Sequence, residues 1–367
     1  MALLYMQMCM SATDGAGPFT HAPKIPNQGA GDTVTRLVID TSLAGATVGA
    51  DPTEGLAILL ALLDPEVSVE GVILTGGDLH IKAAHVRRLY EVCGRSAPLA
   101  LGATHDLLGQ PSRDASLRPP TVRFLSDHRA VEGLPRASEL LLECASVADD
   151  VALVVLGRAT TTALALLSDP SLGHRLHRIV LGGCNVGLPL RPEPDASDPH
   201  AAAVVLRMAA GRVIVSDPSA DLRVGLPARQ LELDGDTASS ELVELVAEYC
   251  QSWLAYHERD WLPLDGALPL IGIGHPELRE MASRRYLVDP CTRSFGEMLL
   301  PLDEQGRHPR PVRPGQLHAI DTMTSYHAGA CIGLAESLLE LPAVELAEER
   351  DSDLPPLTSE ASPSRAE

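Results

Sequence analysis

Short apolar runs that alternate with helical segments constrain this chain more than any other feature. RLVID (36–40) is a β-branched run ending in Asp, and GLAILLALL (55–63) reads as a helix stopped by Asp64-Pro65. VEGVILTGG (69–77) is a second strand running into glycines. IKAAHVRRLYEVCG (81–94) is a helix with Gly94 as its stop, and APLALG (97–102) is a third strand. The rhythm returns in VALVVLG (151–157), TTALALLSDP (161–170), RIVLGG (178–183), DPHAAAVVLRMAAG (198–211) and RVIVSDP (212–218). Strands that read as continuous apolar runs are buried on both faces, so the expected fold class is α/β, a mostly parallel central sheet covered by helices, in a single domain.

In open parallel sheets, ligands bind outside the carboxyl ends of the strands. That rule points to Asp40, to Gly76 through Asp78, to Gly157 through Thr160, and to Gly182 through Asn185. Residues 1–33, rich in Gly, Pro, Thr and Asp after a short apolar start, read as a flexible leader. Residues 34–344 read as the folded domain, and 345–367 as a disordered acidic tail.

Composition narrows the partners. With 49 acidic and 29 basic residues the formal net charge is −20, which argues against nucleic acid and anionic membrane. Seven scattered cysteines without a CxxC pair fit free thiols in a reducing compartment better than a disulfide framework or a zinc site. The apolar start lacks a basic region and a cleavage site, and no run of about 18 apolar residues occurs. A cytoplasmic protein is therefore expected. There is no Walker A loop, no GxGxxG after a strand and no GxSxG elbow.

Several strand ends resemble motifs of the calcium-dependent nucleoside hydrolases. Ile39-Asp40-Thr41-Ser42, followed by a longer loop to Asp51-Pro52-Thr53-Glu54-Gly55, resembles the family's D-x-D-x-G-x-D-D loop. LGRATTTALALLSDP (156–170), RIVLGGCNVG (178–187), PEPDASDPHAA (192–202), WLPLDGALPLIGIGHPEL (261–278) and CTRSFGEMLL (291–300) resemble later family segments in the same order. The resemblance runs from about residue 34 to 305. It implies a nucleoside hydrolase-like sheet, hydrolysis of an N-ribosyl bond by a metal-activated water, a calcium ion, a nucleoside or other N-ribosyl substrate, and a homodimer or homotetramer.

The resemblance also assigns roles. Asp40 matches the first Asp of the loop, as metal ligand or base; its structural alternative is a loop-capping Asp. Ser42 falls where the family has its metal-binding general base, and a serine cannot take a proton from water at neutral pH unaided. Asp51 is the substitute base, or else an Asp-Pro turn residue. Glu54 keeps a carboxylate for the metal and Thr53 a hydroxyl for the sugar, although Thr53 as N-cap and Glu54 at the helix dipole would explain both. The Thr160 carbonyl and Asp265 complete the metal set. Calcium requires such hard oxygen donors.

On the substrate side stand Asp78, in place of an Asn, together with Asn185, Glu193 and Asp195. His128 resembles the family's H-G-x-D-G-L-G loop. Leu264 takes the place of the family's base-handling His, so His257 is the candidate substitute, or else a surface residue. Because of these departures, two further readings stand beside the metal-assisted hydrolase. The chain could be a repurposed fold catalysing a different, metal-independent reaction, or a catalytically silent homologue that binds a ligand.

Overall fold

In the computed structural model of the protein, the structure describes residues 34–43, 51–111, 131–182, 198–217, 224–231, 240–288, 299–301 and 317–341. The leader before residue 34 and the acidic tail lie outside the described residues. The predicted strands form as β1 (Thr35–Thr41), β2 (Val67–Leu74), β3 (Leu99–Leu101), β4 (Ala152–Val155), β5 (Arg178–Leu181) and β6 (Val213–Ser216). Between them lie α1 (Thr53–Leu63), α2 (Leu79–Cys93), α3 (Ala137–Val147), α4 (Thr160–Ser168), the short α5 (Leu172–Arg175) and α6 (Pro199–Met208). Gly94 ends α2 as expected, in the left-handed conformation at φ 62°, where a Cβ is disfavoured.

The remainder of the chain adds elements that no alternating apolar pattern marks in the sequence. An antiparallel pair, β7 (Gly225–Pro227) and β8 (Trp261–Pro263), brackets α7 (Glu241–His257). Then follow α8 (Leu268–Gly274), β9 (Arg279–Val288), β10 (Leu299–Pro301), β11 (Leu317–Tyr326) and α9 (Ala328–Leu338). β9 carries charged residues through most of its length, REMASRRYLV, so it lacks the apolar run that marks the buried strands.

The main sheet has nine strands in the order β10-β9-β11-β6-β5-β4-β1-β2-β3. Only β9 runs against the others. Side chains alternate across it with the period of two that strands impose. Leu37, Ile39, Val72, Leu74, Val154 and Val180 join one buried cluster, with α1, α2, α7, α8 and α9. Val38, Ile73, Leu153, Val155, Ile179 and Leu181 join the other, with α3, α4 and α6. The chain builds β1-β2-β3 outward, then returns to place β4 on the other side of β1. The order therefore reverses between β1 and β4, and this is the topological switch point where ligands bind in such sheets.

Two contacts fix the helices around that point. Where α1 meets α7, a Cβ on Gly55 would lie 2.3 Å from the Tyr249 hydroxyl, so only glycine admits the ring. The buried Tyr249 hydroxyl has no hydrogen-bond partner among the described residues. At the far end of α1, His275 at the close of α8 bonds Asp64 at 2.6 Å through Nε2, and its Nδ1 lies 3.5 Å from Glu66 and 3.4 Å from Glu277. Burial alone would lower this imidazole, but the Asp64 hydrogen bond and the three carboxylates outweigh it and leave its pKa above 6.5.

Among the described residues, Cys93, Cys144 and Cys250 carry free thiols. No helix among those residues is long and apolar enough to cross a membrane.

The folded pKa of His275 lies above its unfolded value, so its stabilisation is complete below about pH 6.5 and fades as pH rises through the folded pKa. The melting temperature of the wild type is expected to fall over that window. His275→Gln should flatten the dependence. At the other end of α1, Gly55→Ala is expected to cost about 1–3 kcal/mol in urea unfolding through overpacking. Tyr249→Phe, which removes a buried and unpartnered hydroxyl, should leave stability unchanged or raise it.

Candidate active site at the β1–β4 switch point

Parallel pairing sets the site. The Leu156 N–H donates to the Asp40 carbonyl at 2.8 Å, so β1 and β4 end side by side. Beyond them, a Cβ on Gly157 would lie only 3.0 Å from the Ser42 Cβ, so glycine lets the two loops touch. The alternation of β1 then sends consecutive residues to opposite faces. Asp40 follows Val38 toward α4, and Thr41 follows Ile39 toward α1.

On the α4 side, three consecutive threonines reach three partners. The Thr160 hydroxyl donates to Asp198 Oδ2 at 2.8 Å. Thr161 Oγ1 accepts from the Ala103 N–H at 3.0 Å. The Thr162 hydroxyl lies 3.4 Å from Asp40 Oδ2. Asp198 also accepts from the Leu107 N–H at 2.7 Å and from the Ala201 N–H at 3.0 Å, capping α6 and tying the β3 loop to the site. Asp40 is fully buried, and its Oδ1 has no hydrogen-bond partner among the described residues. Burial pushes this carboxyl well above the usual carboxylate range; the Thr162 hydrogen bond and the neighbouring Thr75 hydroxyl oppose that, and the nearby Glu54 charge adds to it.

On the α1 side, the Glu54 carboxylate is fully engaged. Its Oε2 accepts from the Thr41 hydroxyl at 2.5 Å and the Leu43 N–H at 2.6 Å, and its Oε1 from the Ser42 hydroxyl at 2.8 Å. These bonds hold Leu43 at φ 26°, a left-handed conformation that a leucine adopts only under constraint. Asp51 is likewise engaged: its Oδ1 accepts from the Thr53 N–H at 2.9 Å and the Thr53 hydroxyl at 2.7 Å. The capping role expected of Thr53 therefore shifts, because Pro52 occupies the N-cap and Asp51 supplies the acceptor.

Asp265 reaches the same place. A Cβ on the adjoining Gly266 would meet the Thr53 hydroxyl at 2.5 Å, and Asp265 Oδ1 accepts from the Gly266 N–H at 3.0 Å. Leu264, in the position where the resemblance puts a histidine, is fully buried in the core. Thus Asp40, Asp51, Thr53, Glu54, Thr160 and Asp265 all border the carboxyl ends of β1 and β4.

Other candidates stand apart. Asp78 lies beyond β2 and caps α2, accepting from the Ile81 N–H at 3.4 Å. His257 is exposed at the end of α7, its ring 4.7 Å from that of Trp253 and 5.0 Å from that of Tyr256. His128, Asn185, Glu193 and Asp195 lie outside the described residues. Thr161, Thr162 and Asp198, which lie inside segments that resemble the family but are given no role by that resemblance, join the site region, as does Lys82, which no motif marks. Lys82 is buried, with its Nζ donating to the Thr75 carbonyl at 2.6 Å. A run of three threonines at a helix start, and a lysine in an otherwise apolar helix face, were the available signals.

Calcium needs six to eight oxygen donors, several of them charged. Here both Glu54 oxygens already accept protein donors, and Asp51 Oδ1 and Asp265 Oδ1 accept local N–H groups. Thr160 is the first helical residue of α4, so its carbonyl points along the helix into the ladder of that helix. Among the described residues, no group of three or more His, Cys, Asp or Glu is arranged to hold a metal ion. Among the described residues, the oxygen donors at this strand end are therefore not gathered into a calcium shell.

Comparison with known proteins agrees with this fold. A model described as inosine-uridine preferring nucleoside hydrolase matches residues 49–313. Uridine nucleosidase 1 of Arabidopsis thaliana is 30% identical over 200 residues, 49% of this chain and 55% of that one. The non-specific ribonucleoside hydrolase RihC of Shigella flexneri is 26% identical over 164 residues, 42% of this chain and 54% of that one. The chain thus spans about half the length of the curated relatives it matches. Among solved structures, a plant nucleoside hydrolase superposes with a TM-score of 0.69 at 18% identity, covering 84% of this chain and 100% of the other. An inosine-guanosine nucleoside hydrolase gives 0.66 at 18%, covering 84% and 99%. With the family match extending over most of its length and the same sheet beneath it, the chain belongs to the inosine-uridine preferring nucleoside hydrolase family.

Proposed function

We propose that this protein hydrolyses the N-glycosidic bond of a nucleoside or a related N-riboside at the β1–β4 crevice. The observation that carries the reading is Asp40. Its Oδ1 is a buried acceptor without a donor among the described residues, at the strand end where this sheet order places ligands. A carboxylate oxygen left unmatched in the interior is costly, and sites retain such atoms where a ligand or reacting group meets them.

The chemistry follows from the reaction. As the C1′–N bond breaks, its electron pair leaves with the base and the ribosyl group becomes an oxocarbenium cation. Water adds to C1′, and Asp40 takes the proton that the water loses; the departing base takes a proton from solvent, and Asp40 returns its own to solvent, so that one water is consumed in all. The Asp40 and Glu54 carboxylates, close enough to couple electrostatically, supply negative potential as positive charge develops on the sugar. Asp51, Thr53 and Asp265 line the adjoining rim, and Asp78, Asn185, Glu193, Asp195, His128 and His257 are the candidates for holding the sugar and base.

The test is hydrolysis of a panel of purine and pyrimidine nucleosides followed by ribose release. Turnover that Asp40→Asn lowers by about 10²–10⁴-fold, with the melting curve preserved, is the expected result. Saturable nucleoside binding without any turnover would favour the silent ligand-binding reading, which the loss of a carboxylate at Ser42 and of a histidine at Leu264 motivates. Turnover equal in wild type and Asp40→Asn would remove Asp40 from the mechanism.

A further inference from the structure

We propose that the Glu54 clasp takes the place of a bound cation, so that the site is organised by hydrogen bonds alone and the chain works without calcium. The inference rests on the N-ribosyl hydrolase reading only for its activity arm. The geometry behind it concerns the metal set itself.

A calcium ion at a strand end gathers carboxylates and carbonyls of separate elements around one positive charge. Here three donors perform that gathering. The Thr41 hydroxyl, the Ser42 hydroxyl and the Leu43 N–H converge on the two oxygens of Glu54. They join the end of β1 to the first turn of α1, the junction across which the family's loop carboxylates would otherwise hold a shared ion. Ser42 is central. Where an aspartate would present another acceptor and repel Glu54, the serine presents a donor and binds it.

The neighbouring carboxylates are also turned to local tasks. Asp51 Oδ1 closes the start of α1 on Thr53, and Asp265 Oδ1 accepts from the next residue. Recruiting Glu54 to a cation would compete with three hydrogen bonds, among them the contact that holds the left-handed backbone of Leu43. Two features of the chain therefore have one cause: a serine where a carboxylate is expected, and a leucine at positive φ directly after it.

Calorimetry of the chelator-treated full chain with calcium chloride is the deciding experiment. No saturable binding up to about 1 mM, the weakest class of protein calcium sites, is expected. A melting temperature identical in calcium and in chelator should accompany it. Saturable binding, or a melting temperature raised by calcium, overturns the proposal. The clasp itself is tested by the Thr41→Val, Ser42→Ala double variant, which removes both hydroxyl donors. A lowered melting temperature, with calcium still without effect, supports the clasp. An unchanged melting temperature, or calcium binding acquired by wild type and variant alike, refutes it. Should no nucleoside be turned over, the calorimetry and melting results still decide the question; if turnover is found, chelator should leave its rate unchanged.

Discussion

The parallel pairing of β1 with β4 is the constraint on which the rest of this site depends. One backbone bond, Leu156 N–H to the Asp40 carbonyl, brings the two strand ends level. Because the helices after β1 and β4 lie on opposite faces, the pleat delivers Asp40 to one helix start and Thr41 to the other. A one-residue slip of β1 would reverse both assignments, burying Thr41 against α4 and turning the Asp40 carboxylate toward α1. The register is held by Leu37, Val38 and Ile39, which are fully buried and already committed to their faces.

Electrostatics divides the site into two halves with different character. On the α1 side every Glu54 oxygen meets a donor, and the turn is closed. On the α4 side Asp40 is buried with one oxygen unmatched among the described residues, and burial raises its proton affinity. The low local dielectric strengthens both situations: satisfied groups are held more firmly, and the unsatisfied one is driven toward a ligand or a proton.

Much of this is legible in the residues themselves. The six apolar runs from β1 to β6 and the helices between them follow from hydrophobic pattern, glycine stops and Asp-Pro breaks. The strand-end rule, applied to those runs, is enough to locate Asp40 and Thr160. β9 is not legible, because a charged strand near the sheet edge lacks an apolar signature. Nor are the partners of Glu54. Sequence spacing puts Thr41 and Ser42 about a dozen residues from Glu54, and only the return of the chain along α1 makes them neighbours.

The sequence by itself determined the α/β class and the succession of strands and helices from β1 to β6, and the strand-end rule directs attention to the carboxyl end of that sheet. Those properties depend on local periodicity, which each short segment carries alone. Tertiary structure decided which carboxylates remain available. Hydrogen-bond saturation depends on what other segments bring to an oxygen. Both oxygens of Glu54 and one of Asp51 meet donors from the fold, whereas Asp40, equally acidic in the sequence, keeps one oxygen without a donor among the described residues.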